Sequence, residues 1–160
     1  MPTTANPTVA AEKQLGCTCF KLRRLARAVS RLYDQHLAAA GLKTTQYSVL
    51  ANAARAAMPV AALAERLGIE RTTLTRNLGP LVDAGWIALR AGADGRQRVV
   101  TLTAAGQAKV ASAYPAWRAA QADIEQLLGR EQVRGLNAQL DQTLHQLTPR
   151  IEEMNHVHPA

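Results

Sequence analysis

Apolar residues recur along most of this chain at intervals of three and four, the spacing of one face of a helix. Leu22, Leu25, Val29, Leu32 and Leu37 predict a first helix from about Gly16 to Ala40, stopped by Gly41. Lys21, Arg23, Arg24, Arg27 and Arg31 are interleaved with them. Thr44 or Thr45 is placed to cap a second helix that runs to about Ala57, and Pro59 marks a further helix start. Leu63, Ala64 and Leu67 make the apolar face of a short helix that Gly68 ends. Leu74, Leu78, Leu81 and Val82 then predict a helix from near Glu70 to Gly85. The pattern next changes to strand-like runs over 86–90 and 98–102, separated by the turn-rich stretch 91–97. Thr103 caps a long helix to about Leu128, with a kink or break expected at Pro115. Val133, Leu136, Leu140, Leu144, Leu147 and Ile151 form the seam of a last helix, from about Arg130 to Leu147.

A helix, a tight turn, a second helix with a polar face and then a hairpin is the winged helix-turn-helix layout. The fold class is therefore mainly α with a small β-hairpin wing. Residues 1–13 read as a flexible arm, 14–147 as a single unit and 148–160 as a C-terminal tail. Within the unit, 44–102 form a DNA-binding lobe, flanked by dimerisation helices over 14–40 and 103–147. A lone chain has little to cover the apolar faces of its first and last helices. Pairing across a two-fold axis buries both, and an intrachain helix pair is the alternative.

The second helix of the motif carries Arg71, Thr72, Thr73, Thr75, Arg76 and Asn77 on its polar face. Arginine grips guanine bidentately, asparagine grips adenine, and threonine donates to phosphate or touches a thymine methyl. At the hairpin tip, Asp94, Arg96 and Arg98 project together. A tip arginine, Arg96 above all, suits a narrow minor groove, and Asp94 is placed to orient Arg96 or another arginine by a charge-assisted hydrogen bond, against the plainer reading of a turn residue.

Composition sharpens this picture. The chain has 160 residues, 48% apolar but only 4% aromatic, so the core is aliphatic and largely helical. A net charge of +7 suits a polyanionic partner, double-stranded DNA above all. No apolar run is long enough to span a bilayer, and the first residues lack the features of a signal peptide, so a cytoplasmic location is expected. In that compartment Cys17 and Cys19 are reduced at rest. Nothing resembles a catalytic triad or a phosphate-binding glycine loop, so neither an enzyme nor a cofactor is expected.

Read together, Leu63-Ala-Glu-Arg-Leu-Gly68, Thr72-Thr-Leu-Thr-Arg76, Leu81-Val-Asp-Ala-Gly-Trp-Ile87, Asp94-Gly-Arg96 and Leu102-Thr-Ala-Ala-Gly106 resemble the MarR family of winged helix-turn-helix regulators. The resemblance runs from roughly Leu15 to Leu147. It implies a homodimer joined through its terminal helices, most simply a repressor that binds a pseudo-palindromic operator. It also implies a small-molecule pocket where the dimerisation helices meet the DNA-binding lobe. Arg24, Arg27 and Arg31 form a cationic stripe suited to clamp a carboxylate effector, an aromatic one included, against the plainer reading of a solvated stripe.

Cys19-Phe20 further resembles the start of the OhrR branch, peroxide sensors with a reactive cysteine at this helix. Tyr33 falls where one supporting tyrosine stands in that branch, while Arg23 replaces the other. Placement of Cys17 and Cys19 in a helix first turn, near Lys21 and Arg23, favours thiolates. A thiol-based redox switch is thus the alternative signal, and small residues packed at an interface are its bland counterpart. A sequence-tolerant architectural DNA-binding protein is an alternative of another class, and a thiol-dependent enzyme a third. No metal site is expected, since Cys17 and Cys19 have no further ligands brought near them.

Overall fold

The computed structural model describes residues 16–92, 95 and 97–157. The first helix, α1, spans Thr18–Leu37. Its apolar face changes character along its length. Leu22 and Leu25 are exposed, Val29 and Leu32 are half-buried, and Leu37 is fully buried. The chain then tightens into a 3-10 turn over Ala38–Ala40, and Gly41 closes it at φ 63°. Few residues other than glycine hold that left-handed geometry.

Helix α2, Thr44–Ala53, is capped differently from expectation. Neither threonine hydroxyl caps it. The Asp34 carboxylate of α1 accepts the Thr44 N–H at 2.7 Å, and Gln46 Oε1 accepts the Lys43 N–H at 2.9 Å. A carboxylate is the stronger acceptor for a helix-terminal amide, and it also fastens α1 to α2. The helix stops at Ala53 rather than Ala57 because the chain must become extended before Pro59. Met58–Pro59 forms a two-residue strand, β1.

Helices α3, Val60–Leu67, and α4, Arg71–Asp83, follow. Both end in the same way. Gly68 at φ 63° and Gly85 at φ 71° allow the next amides to fold back, Ile69 N–H onto Ala64 O and Trp86 N–H onto Leu81 O, each at 3.0 Å. Strands β2, Ile87–Ala91, and β3, Arg98–Leu102, form the hairpin. The antiparallel sheet has the order β1-β3-β2, with Leu89 and Met58 both opposite Val100. Leu37, Leu50, Leu63, Leu74, Leu78, Leu81 and Val100 are the heart of the core. Among the described residues it holds no buried polar or charged side chain.

Helix α5 spans Ala104–Leu128 and α6 spans Arg130–Val157. Thr103 caps α5 as expected, its Oγ1 accepting the Gly106 N–H at 3.0 Å. The same hydroxyl donates to Gly85 O at 2.7 Å. No break occurs at Pro115. Proline costs the helix one hydrogen bond there, while buried Ala113 and half-buried Trp117 hold the helix to the core on either side of it. Two compact units divide the chain, residues 1–118 and 119–160. In the second, Gly129 turns at φ 86°, and Glu125 pairs with Arg130 at 3.5 Å and accepts from Gln121. Ala120 and Val133 are buried, whereas Leu140, Leu144, Leu147, Ile151 and Met154 are exposed. The segment expected as a tail is helical as far as Val157.

Of the described glycines, Gly106 has the least room for a side chain. A Cβ there would stand 2.0 Å from Trp86 O and 2.8 Å from Leu102 Cδ1. Gly106→Ala is therefore expected to destabilise the fold by ~3 kcal/mol, at the upper end of overpacking costs. Gly79→Ala on α4, where a Cβ meets nothing within 4 Å, should instead add about 0.5–1 kcal/mol. Thermal melting of the two variants checks both signs.

Candidate nucleic-acid interface

Burial of Leu74, Leu78 and Leu81 fixes which way α4 faces. Arg71, Thr72, Thr73, Thr75 and Arg76 are consequently exposed, and Asn77 is half-buried at the edge of the face. Arg71 opens the helix, and Glu70 precedes it without capping it by its side chain. The start of α4, the positive end of its helix dipole, is thus not closed by its N-cap side chain. Thr75 donates its hydroxyl to Arg71 O at 2.8 Å. Its oxygen and methyl remain for a partner, but its proton is used within the helix.

The wing brings a second set of groups alongside. Arg98 is exposed at the start of β3, paired across the hairpin with Ala91. Arg98 and Gln97 line a cleft of about 360 Å³ together with Arg71, Glu65 and the start of α3. Two arginines from distant parts of the sequence thus line one concavity. Asp94 and Arg96 lie outside the described residues. The hairpin closes through the Gly92 N–H, which donates to Gln97 O at 2.7 Å. Gln97 and Glu65 did not stand out in the sequence, because neither belongs to the helical face or to the basic pattern.

At the other candidate positions the structure separates what the sequence grouped. Cys17 is the N-cap of α1, in extended conformation, and only Cys19 lies inside the first turn. Both thiols are free and exposed. Tyr33 is half-buried against the core. Arg24, Arg27 and Arg31 are all exposed. Arg24 lines a shallow cleft of about 310 Å³ with Lys21, Leu25 and Ala28. Among the described residues no group of three or more His, Cys, Asp or Glu could hold a metal ion, and no helix is long and apolar enough to cross a membrane.

An aromatic stack joins α2 to α5. Trp117 stacks with Tyr47 at 6.2 Å between centroids and with Tyr114 at 5.8 Å. Tyr47 is buried. Burial pushes its phenol above the ordinary 10.0, and the neighbouring Tyr114 adds to the effect.

Comparison with known proteins agrees with this architecture. A sequence profile for the MarR family matches residues 40–97, from the end of the 3-10 turn to the tip of the wing. The transcriptional regulator MosR from M. tuberculosis, solved in complex with DNA, is 41% identical. The match covers 81% of this chain and 96% of that one, with a TM-score of 0.70. The chain belongs to the MarR family. A probable transcriptional regulator from Pseudomonas aeruginosa is 23% identical over 79% of this chain and 96% of that one, with a TM-score of 0.72. A MarR variant from E. coli complexed with operator DNA is 22% identical over 77% and 90%, with a TM-score of 0.70. These last two likenesses bear on the fold alone. No curated protein matches the chain. MarR-family proteins are transcription regulators rather than enzymes, and the winged helix expected from the pattern of the sequence is the fold observed.

The Tyr47 phenol has a consequence for stability. Below pH 10.0 it is protonated both folded and unfolded. As pH rises past that value the unfolded chain releases its proton first, so stability falls until the folded phenol ionises as well. Melting temperature should therefore decline above about pH 10, and Tyr47→Phe should flatten that decline. Melting curves of both proteins across the alkaline range measure the difference.

Proposed function

We propose that the protein is a cytoplasmic, homodimeric transcription regulator that reads a pseudo-palindromic DNA operator with α4 and grips the flanking groove with its wing. One observation carries this reading. Arg71, Thr72, Thr73, Thr75 and Arg76 are exposed on the side of α4 opposite its buried leucines, and Arg98 of the wing shares a cleft with Arg71. Asn77 completes the reading face, and Asp94 and Arg96 are assigned to the wing's approach to DNA. Threonines among the arginines favour base readout over purely electrostatic binding. The relative with 41% identity was solved with DNA, which supports the same conclusion.

Dimer formation rests on the apolar face of α6. Leu140, Leu144, Leu147 and Ile151 are exposed at intervals of three and four, and Leu22 and Leu25 are exposed on α1. Covering these faces with a second copy places two reading helices about 34 Å apart, one turn of DNA. Repression is the simplest output, by occlusion of a promoter. Release is assigned to a small-molecule effector. The exposed stripe of Arg24, Arg27 and Arg31 suits the carboxylate of such an effector, and the apolar cleft lined by Lys21, Arg24, Leu25 and Ala28 suits an aromatic ring. A second reading has its own support. Cys17 and Cys19 are exposed at the start of α1, so oxidation of Cys19, with Cys17 as its partner, is the alternative signal.

The test is competition between a selected operator and random duplex at fixed salt. A regulator prefers its operator by about a thousand-fold or more. Equal affinity for both would identify a sequence-tolerant architectural protein instead. Arg71→Ala should cost roughly 1–3 kcal/mol of operator affinity if it grips a base. Leu140→Glu with Leu144→Glu should give monomers, because each charge enters an apolar contact. Sedimentation of that variant beside the unmodified protein decides the point. If a Cys17→Ser, Cys19→Ser variant still leaves operator in peroxide, the redox reading falls and the effector reading stands.

A further inference from the structure

We propose that Lys109 is a positioning residue for operator recognition, a clasp that ties the turn at the end of α1 to the foot of the reading helix α4. The proposal rests on the DNA-binding reading above. Lys109 is half-buried on the first half of α5. Its Nζ donates to Ala40 O, the last residue of the 3-10 turn, at 2.6 Å. The same ammonium stands 4.7 Å from the centroid of the Trp86 indole. Among the described residues no carboxylate pairs with it. Its charge is directed at one carbonyl and one π face, both partly sheltered from water, where such contacts are strongest.

The two ends of the clasp are the points that matter for orientation. Trp86 follows directly on the glycine that closes α4, and its N–H bonds back to Leu81 O at 3.0 Å. Its carbonyl accepts the Thr103 N–H, also at 3.0 Å. The indole therefore moves with the reading helix. Ala40 moves with the end of α1, the helix assigned to the dimer contact. A dimeric reader must hold its two helices at fixed angles to one another. Phosphate contacts tolerate a small rotation of α4, whereas bidentate contacts to base edges do not. Loosening the clasp thus costs sequence recognition before it costs DNA binding as such.

Lys109→Met keeps the length of the stem and removes the charge and the donor. Full-length protein is titrated with a selected operator and with random duplex over a range of salt. The expected result is an operator affinity lower by about ten-fold, with random-duplex affinity and salt slope unchanged. Lys109→Arg, which can still donate to the carbonyl and stack on the indole, should recover most of the loss. Unchanged operator affinity in Lys109→Met overturns the proposal. So does an equal loss on both duplexes with a shallower salt slope, which marks a phosphate contact instead. Failure of the unmodified protein to prefer any operator defeats the DNA-reading assignment itself and is seen before any variant is made. Should Lys109→Met not fold, Trp86→Phe is read in the same way. Its smaller ring weakens the cation–π contact, so operator affinity should fall about two- to three-fold with random-duplex binding unchanged, and no change there overturns the clasp.

Discussion

The carbonyl of Trp86 is the fixed point of the compact unit of residues 1–118. It accepts the Thr103 N–H at 3.0 Å and lies 3.2 Å from the Thr103 hydroxyl. It also stands so close to Gly106 that no side chain fits there. These contacts join the end of α4 to the start of α5, and the strands between them must leave and return as a closed hairpin. The position of the wing beside α4 follows from this backbone junction together with the packing of Ile87, Leu89, Val100 and Leu102 against the core. Arg98 and Arg71 can share a cleft because the chain between them is anchored at this junction.

Elements whose causes are local were legible in the sequence. Leu74, Leu78 and Leu81 repeat within one helix, and their burial alone determined that Arg71, Thr72, Thr73, Thr75 and Arg76 face outward. Gly68, Gly85 and Thr103 act within a few residues of their own positions, and each ended or started a helix where expected. Features that depend on distant partners were not legible. The Asp34 carboxylate caps α2 from ten residues away, which no pattern of threonines reveals. Strand β1 has two residues and exists because β3 offers it an edge. Lys109 reads as an ordinary exposed lysine of α5 until the fold brings Ala40 to it across a separation of 69 residues. At Pro115 the break that a local rule allowed does not occur. A rule about one hydrogen bond was set against a whole helix that could absorb its loss.

The two compact units differ in how they use apolar surface. In residues 1–118 the large leucines are mostly buried, and those left exposed lie near the start of α1. In residues 119–160 most leucines of α6 remain in solvent. A lone helix with Leu140, Leu144, Leu147, Ile151 and Met154 uncovered loses the hydrophobic contribution of those side chains, worth about 1.5–3 kcal/mol for each one fully buried. Stability of the second unit is accordingly linked to assembly in a way that stability of the lobe is not.

That division bears on how the exposed face of α4 is maintained. Among the described residues the core of the lobe contains no buried charge, and the two surface ion pairs Arg130–Glu125 and Arg150–Glu153 both belong to the second unit. The lobe is held by aliphatic packing, helix closures and the Trp86 junction, with the Asp34 carboxylate and the Lys109 ammonium fastening the end of α1. Arg71, Thr72, Thr73 and Arg76 are exposed and lie outside that packing. Exchange of such residues costs little folding free energy, since exposed positions away from caps and buried networks tolerate substitution. Thr75 is the partial exception, because its hydroxyl is bonded within the helix. A scaffold arranged in this way lets the residues of one helix face be exchanged one by one, while the closures at Gly68 and Gly85 keep that face in the same place.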